Sequence, residues 1–362
     1  MADNFDYIIV GAGSSGCVLA NRLSANRKNS VCVLEAGPPD WNPFIHIPAG
    51  FMKTLVNPNV NWLFKSEPSW GTDGRVIDIP RGKTLGGSSS INGMVFNRGQ
   101  NLDFDVWAQK GNKGWSYSDL LPYFKKYEKR LGEFDDVYRG TQGELPITDL
   151  EYRDPLCEAF IKSAIEQGIP LNKDYNGELQ EGVSYVQRNT RGRFRVSAAK
   201  AFLNPAKSRR NLRIITNAFV TKINFNNKTA IGVEYLIGGR EGKKVNLKAN
   251  KEIILSSGVI KSPHILHMSG VGPVEDLKKL GIDVIHDLKG VGMNLRDHFA
   301  PRLTARAKNV ETVNEKSRGF KLLKEIGKYI IGKQSIVNLS PTLVYCFWHS
   351  NEEIRNHDLQ MT

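Results

Sequence analysis

The sequence predicts an α/β protein organised around a Rossmann-like dinucleotide-binding domain, and three observations predict it. The run Asp6-Tyr-Ile-Ile-Val10 is short, apolar and β-branched, as a parallel strand buried on both faces must be. A Gly11-x-Gly13-x-x-Gly16 loop follows it directly, and residues 14–23 suit a helix. A second apolar strand over 30–35 ends on Glu35, about twenty residues beyond the loop.

Each glycine of the loop has its own physical task. Gly11 permits the tight turn, Gly13 lets the backbone approach a pyrophosphate, and Gly16 allows close helix–strand packing. Ser14 and Ser15 open the helix, so their N–H groups and the positive end of the helix dipole face the same anion. A carboxylate at Glu35 accepts the ribose hydroxyls. These residues predict a dinucleotide site; FAD and NAD both remain open on them alone.

Residues 37–82 form a stretch rich in Pro, Asn and Trp, too long for an ordinary connection, so they are expected to be an excursion that covers something. A glycine- and serine-rich segment follows over 82–99, then a helix over 117–129. Residues 154–167 read as an amphipathic helix stopped by Gly168 and Pro170. Strands are expected at 212–216, 219–225, 230–236 and 252–256, and helices at 196–205 and 262–268. Residues 342–348 read as a strand, and 358 onward as the start of another, so the sequence reads as interrupted at its end.

The segment Arg81-Gly-Lys-Thr-Leu-Gly-Gly-Ser-Ser-Ser-Ile-Asn-Gly-Met-Val95 offers closely spaced backbone N–H donors and small side chains that can lie flat against a large anionic ligand. It closely resembles the first signature of the glucose–methanol–choline (GMC) family of flavoenzymes. Gly258-Val-Ile-Lys-Ser-Pro-His-Ile-Leu-His-Met-Ser-Gly-Val-Gly272 resembles the second, with Val259 where a small residue is usual. Three shorter stretches, 195–203, 211–220 and 290–298, follow in the family's order. Within the family the chain is most similar to choline dehydrogenase-like members.

The resemblance implies FAD rather than NAD. The first loop (Gly11, Gly13, Ser14, Ser15, Gly16) would hold the pyrophosphate and Glu35 the ribose. Asn92, Gly93, Met94 and Val95 would lie near the isoalloxazine ring, with Thr84, Gly87 and Ser88 nearby, and the backbone of Val220 would contact the adenine. Some relatives attach FAD through a histidine immediately before the Asn; here that residue is Ile91, so non-covalent binding is expected. The implied fold has a mixed-sheet FAD-binding domain (1–155 and 190–300, with the excursion at 37–82). An interleaved substrate domain on an antiparallel sheet (156–189 and 301–362) accompanies it, incomplete at its C-terminal side.

The family oxidises alcohols by passing a hydride from the carbinol carbon to flavin N5 while a base takes the hydroxyl proton. Its base lies in a His-Pro-x-Gly-Thr-like string and the partner in an Asn-x-Asn-Ala-Pro-like string, and this sequence contains neither. No catalytic residue is therefore assigned, and the chain reads as an N-terminal portion of an alcohol-oxidising enzyme. The alternative is an FAD-binding protein without redox turnover. Of the seven histidines, His298 is expected to be structural, and His264 and His267 to serve packing.

Composition excludes several classes. At 40% hydrophobic and 24% charged residues the chain is an ordinary globular protein, neither disordered nor fibrous. The net charge of +13 is scattered, without stacking aromatics in a nucleic-acid module, so no nucleic-acid partner is expected. The four cysteines are widely separated with no C-x-x-C, so no metal site is expected; Cys17 and Cys32 fall in segments that read as buried. Asp3 and Asp6 stand where a signal peptide would be basic, and no apolar run reaches the length of a membrane span. The expectation is a cytoplasmic protein whose partners are a small-molecule alcohol and an electron acceptor, with peripheral membrane contact left open.

Overall fold

The computed structural model describes residues 4–239, 241–354 and 356–362. The chain divides into two compact units. The first comprises Met1–Asn42, Met52–Asn92 and Ser197–Thr304, and the second Pro43–Phe51, Gly93–Val196 and Ala305–Thr362.

In the first unit, β1 (Asn4–Val10), β2 (Val31–Leu34), β3 (Leu212–Ile215), β4 (Ala218–Asn226), β5 (Thr229–Ile237) and β6 (Lys243–Leu255) form one sheet in the order β3-β2-β1-β6-β5-β4. The four strands from β3 to β6 run parallel to their neighbours. β6, β5 and β4 continue the sheet as an antiparallel meander, which makes it mixed, as predicted. β6 extends well before the expected residue 252. Its first five residues, with exposed Lys243 and Lys244, pair only with β5, and pairing with β1 begins at Lys248, so the apolar run Ile253–Leu255 marks only the end of the strand.

Helix α1 (Ser14–Ala25) buries Gly16, Cys17, Ala20, Asn21 and Ser24, a face of small side chains that lets the helix lie close to the sheet. Asn21 reaches across to donate to the Phe202 carbonyl (2.7 Å). That carbonyl belongs to the π-helical turn Ala199–Leu203, where an ordinary helix is expected from sequence. The core of the unit gathers Phe5, Ile8, Val10, Cys32, Leu34 and Val233. Cys17 and Cys32 are buried as predicted, and burial pushes both thiols up to about 12. Helix α2 (Gly258–Met268) follows β6.

Residues 93–155, expected in the dinucleotide-binding domain, belong to the second unit instead. Pairing decides this: Glu128–Leu131 lies parallel to Leu145–Asp149, which pairs antiparallel with Gln187–Arg188. The expected helix over 117–129 accordingly ends at Tyr127. Beyond it, burial alternates with period two, so that Glu128 and Arg130 point inward. Glu128 is fully buried between the guanidinium groups of Arg98 and Arg139, and Arg139 also pairs with Asp174.

A second small sheet joins Gly182–Tyr185, Val344–Trp348 and Leu359–Met361, all antiparallel. This is the antiparallel sheet expected for the substrate part, and among the described residues the mixed sheet of Glu128–Leu131, Leu145–Asp149 and Gln187–Arg188 accompanies it. Helix Pro155–Glu166 starts where expected, because the Asp154 carboxylate accepts the Leu156 N–H (3.0 Å) and caps it. Helix α3 (Gly319–Ile330) lies near the end of the unit. Among the described residues no helix is long and apolar enough to cross a membrane, and no cluster of His, Cys, Asp and Glu could hold a metal ion.

Candidate cofactor site

The first unit contains a cavity of about 470 Å³ at the C-terminal ends of β1 and β2. The glycine loop forms one wall, and its steric needs are now explicit. Gly11 has φ +100°, and a Cβ there would lie 2.7 Å from the Ser256 carbonyl oxygen. A Cβ on Gly16 would lie 1.9 Å from the Gly11 carbonyl oxygen, so no side chain fits where α1 leaves the strand. Gly13 is different: its Cβ would meet nothing nearer than 3.8 Å, and the residue lines the cavity. The backbone is therefore bare where a ligand approaches.

Gly13 is also the N-cap of α1, with extended backbone and no side-chain cap, and the first turn carries no acidic residue. The N–H groups of that turn, beginning at Ser14 and Ser15 on the cavity wall, are donors with no intrahelical acceptor. A bare loop, free donors and the positive dipole end make an anion site.

Glu35 lies on the same wall and is buried. Its carboxylate accepts the N–H of Ala12 (2.9 Å) and of Gly37 (2.9 Å), which fixes it at the end of β2 while each oxygen keeps further acceptor capacity. Burial pushes this carboxyl up to about 7, against the pull of the Gly37 and Ala12 amides.

The glycine–serine segment forms the facing wall through Gly87 and Ser88. Gly87 has φ +54°, and a Cβ there would lie 2.7 Å from the Gly13 Cα, so the two glycine segments touch backbone to backbone. The three serines hold the segment in place. Ser88 Oγ accepts the Gly82 N–H (3.1 Å), Ser89 Oγ accepts the Ala198 N–H (2.9 Å), and Ser90 Oγ donates to the Leu85 carbonyl (2.7 Å). A serine run that suggests flexibility is thus stitched to the backbone on both sides.

The other expected residues are distributed as follows. Val220 is on the cavity wall, next to a bulge in the β4–β5 register. Thr84 is buried off the wall, its hydroxyl donated to the Pro38 carbonyl (2.9 Å). Asn92 is exposed at the end of a first-unit segment. Gly93, Met94 and Val95 begin the following segment of the second unit, where Met94 is fully buried at φ +63° and its carbonyl accepts the Asn189 N–H (3.1 Å). Ile91 is buried.

Several wall residues carried no sequence assignment. Trp62 and Phe64 come from the covering excursion, Phe219 from β4, and Lys261 from α2. The Lys261 ammonium lies 5.1 Å from the Trp62 ring centre, 5.5 Å from Phe64 and 5.7 Å from Phe219, a cation held among three aromatic rings. The aromatic richness of 37–82 was the available signal for this group. The histidines also need correction. His298 does not pack, since its side chain is 90% exposed beside Asp297. His264 is exposed on the cavity rim, whereas His267 packs against the Val291 carbonyl (3.2 Å).

A profile of the GMC oxidoreductase family matches residues 5–300, which takes in both glycine segments and β1 to β6. The chain belongs to the GMC oxidoreductase family. Among members, it is 44% identical over 295 residues to an alcohol dehydrogenase (acceptor) of Pseudomonas putida, covering 82% of this chain and 53% of that protein. It is 42% identical over 307 residues to human mitochondrial choline dehydrogenase, covering 82% and 50%. The GMC chain described here spans about half the length of the curated relatives it matches. An FAD-dependent oxidoreductase from Chaetomium thermophilum superposes with a TM-score of 0.86 at 31% identity, over 95% of this chain and 62% of that one. Pyridoxine 4-oxidase from Mesorbium loti gives 0.74 at 33% identity, over 79% and 56%.

Proposed function

We propose that this GMC chain carries the FAD-binding part of an enzyme that oxidises the CH–OH group of a small alcohol. The observation that carries this reading is the cavity that joins a bare Gly13, an uncapped helix N-terminus and the Glu35 carboxylate. The bare glycine and the helix N-terminus together suit the diphosphate of a dinucleotide, and the carboxylate suits its ribose diol. The relatives' names, alcohol and choline dehydrogenase, support an alcohol as substrate.

In this reading the N–H groups at the start of α1 hold the pyrophosphate, Glu35 accepts the ribose hydroxyls, and the backbone at Val220 meets the adenine. Gly87 presses the second glycine segment against the first, and Ser88 holds that segment to Gly82. Asn92, Gly93, Met94 and Val95 are assigned to the ring end on the family resemblance. Thr84 acts through position, its hydroxyl tying the segment to Pro38. FAD, when bound, supplies an acceptor for the hydride that leaves the carbinol carbon. No histidine of this chain is assigned as the base that takes the hydroxyl proton.

Binding is non-covalent in this proposal, because Ile91 presents a buried aliphatic side chain with no nucleophile. The test is the visible absorbance of purified protein, followed by acid precipitation. A flavin band that passes entirely to the supernatant is the expected result. A band that stays with the pellet refutes non-covalent attachment, and no band together with tight NAD binding refutes the cofactor. The second reading, FAD binding without turnover, is favoured by the sequence, which contains neither of the two histidine- and asparagine-bearing strings of the family's catalytic segment.

A further inference from the structure

Among the described residues, eight buried side-chain nitrogen and oxygen atoms have no hydrogen-bond partner, and three of them gather at one place in the second unit. They are Arg188 Nε, the Asn338 side-chain oxygen and Ser340 Oγ, in residues only 6%, 8% and 5% exposed. The Arg188 guanidinium donates through Nη1 to the Asn338 carbonyl, and Ser340 stands two residues further on. A buried polar group left unpaired costs about 1–3 kcal/mol, so three together call for a use.

Charge and position indicate that use. Arg98, Arg130 and Arg139, buried in the same unit, each meet a carboxylate at ion-pair distance. Among the described residues Arg188 meets none. Glu151 acts on it only from further off, and that carboxylate accepts the Gln334 amide (2.6 Å). Burial pulls the Arg188 guanidinium down to about 10, so it is still a cation at neutral pH. The Ser340 hydroxyl can donate, and the Asn338 amide, turned over, offers its amino group. A guanidinium fork with a hydroxyl and an amide beside it suits a planar carboxylate.

Two contacts tie this cluster to the segment assigned to the flavin ring. Val95 forms an antiparallel bridge with Arg188, and a Cβ on Gly93 would lie 2.5 Å from Pro341 Cγ, next to Ser340. Pro341 is exposed and Gly93 and Val95 are part-exposed, so a ligand can approach the cluster over them. We propose that Arg188, with Asn338 and Ser340, binds a carboxylate carried by the alcohol substrate, which makes that substrate a hydroxy acid. The inference rests on the FAD reading and narrows its substrate class. A quaternary cation such as choline would leave the buried guanidinium without a counter-charge.

The test is calorimetry on the FAD-loaded chain with glycolate, hydroxypropionate and hydroxybutyrate, the diols of the same lengths, choline and sodium chloride. At least one hydroxy acid should bind about 10- to 100-fold more tightly than its diol, as charge-assisted hydrogen bonds allow, with choline and chloride weaker than the acid. Arg188→Met removes the charge but keeps apolar bulk, so it should lose this preference with a thermal melt no lower than wild type. Arg188→Lys keeps the charge without the fork and should retain part of the preference. The proposal is overturned if no hydroxy acid binds, if the diols or chloride bind as tightly, or if both variants keep the full preference. A missing flavin band before titration refutes the cofactor reading and this inference with it. A full band without any charge preference overturns this inference alone.

Discussion

Replacing Gly13 by aspartate separates the cofactor's needs from those of the fold. The position has φ −74° and ψ −163°, a conformation open to any residue, and a Cβ would stand 3.8 Å from its nearest neighbour. Aspartate is moreover a good N-cap, a few tenths of a kcal/mol better than glycine. The apoprotein of Gly13→Asp should therefore melt within about 2 °C of wild type. Cofactor binding behaves oppositely. The new carboxylate takes the N–H donors meant for the pyrophosphate and places a negative charge beside it. At roughly 4 Å and an effective dielectric near 20 the repulsion is about 4 kcal/mol, or about a thousandfold in Kd. Flavin titration monitored by fluorescence quenching, with a thermal melt of the same preparation, reads both quantities. Flavin affinity within tenfold of wild type would falsify the role given to this loop. Gly16→Ala is the contrast: its Cβ would lie 1.9 Å from the Gly11 carbonyl oxygen, so stability and flavin should be lost together.

Other consequences follow from the same geometry. Glu35 is raised from 4.5 to about 7 by burial, so its folded state holds the proton more tightly than the unfolded one. Its contribution is fully present below pH 4.5 and is lost as pH rises through 7, a change of about 3 kcal/mol in the cofactor-free protein. Glu35→Gln should flatten apoprotein stability between pH 5 and 8 in urea melts, and an unaltered slope would assign the titration elsewhere. Gly87→Ala forces a Cβ to 2.7 Å from Gly13 Cα at a positive φ, so it should lower flavin occupancy severalfold or more in the purified protein; full occupancy would show that the two segments can part. Glu128→Ala leaves the buried Arg98 guanidinium without a carboxylate and Arg139 with Asp174 alone, and should cost about 3–5 kcal/mol, seen as a shifted denaturant midpoint. An unmoved midpoint would mean that water or a neighbouring acid replaces Glu128.

The sequence alone determined the parts that depend on local sterics and short periodicity. The β1–α1–β2 unit was legible because an apolar strand, a three-glycine turn and a strand-end carboxylate each leave a mark within thirty-five residues. The helix over 154–167 and the strands β3, β4 and β5 were legible for the same reason. Tertiary structure decided whatever depends on distant partners. Residues 93–155 joined the second unit because Leu145–Asp149 pairs with Gln187–Arg188, forty residues away in sequence, and no local pattern encodes that choice. The serines of the second glycine segment became rigid only through Ala198, Gly82 and Leu85, and Lys261 met its three rings only once the excursion folded over β4. Glu35 shows both sources in one residue. Its place at the end of β2 was written in the sequence, whereas its raised pKa comes from desolvation that exists only after the chain has closed around it.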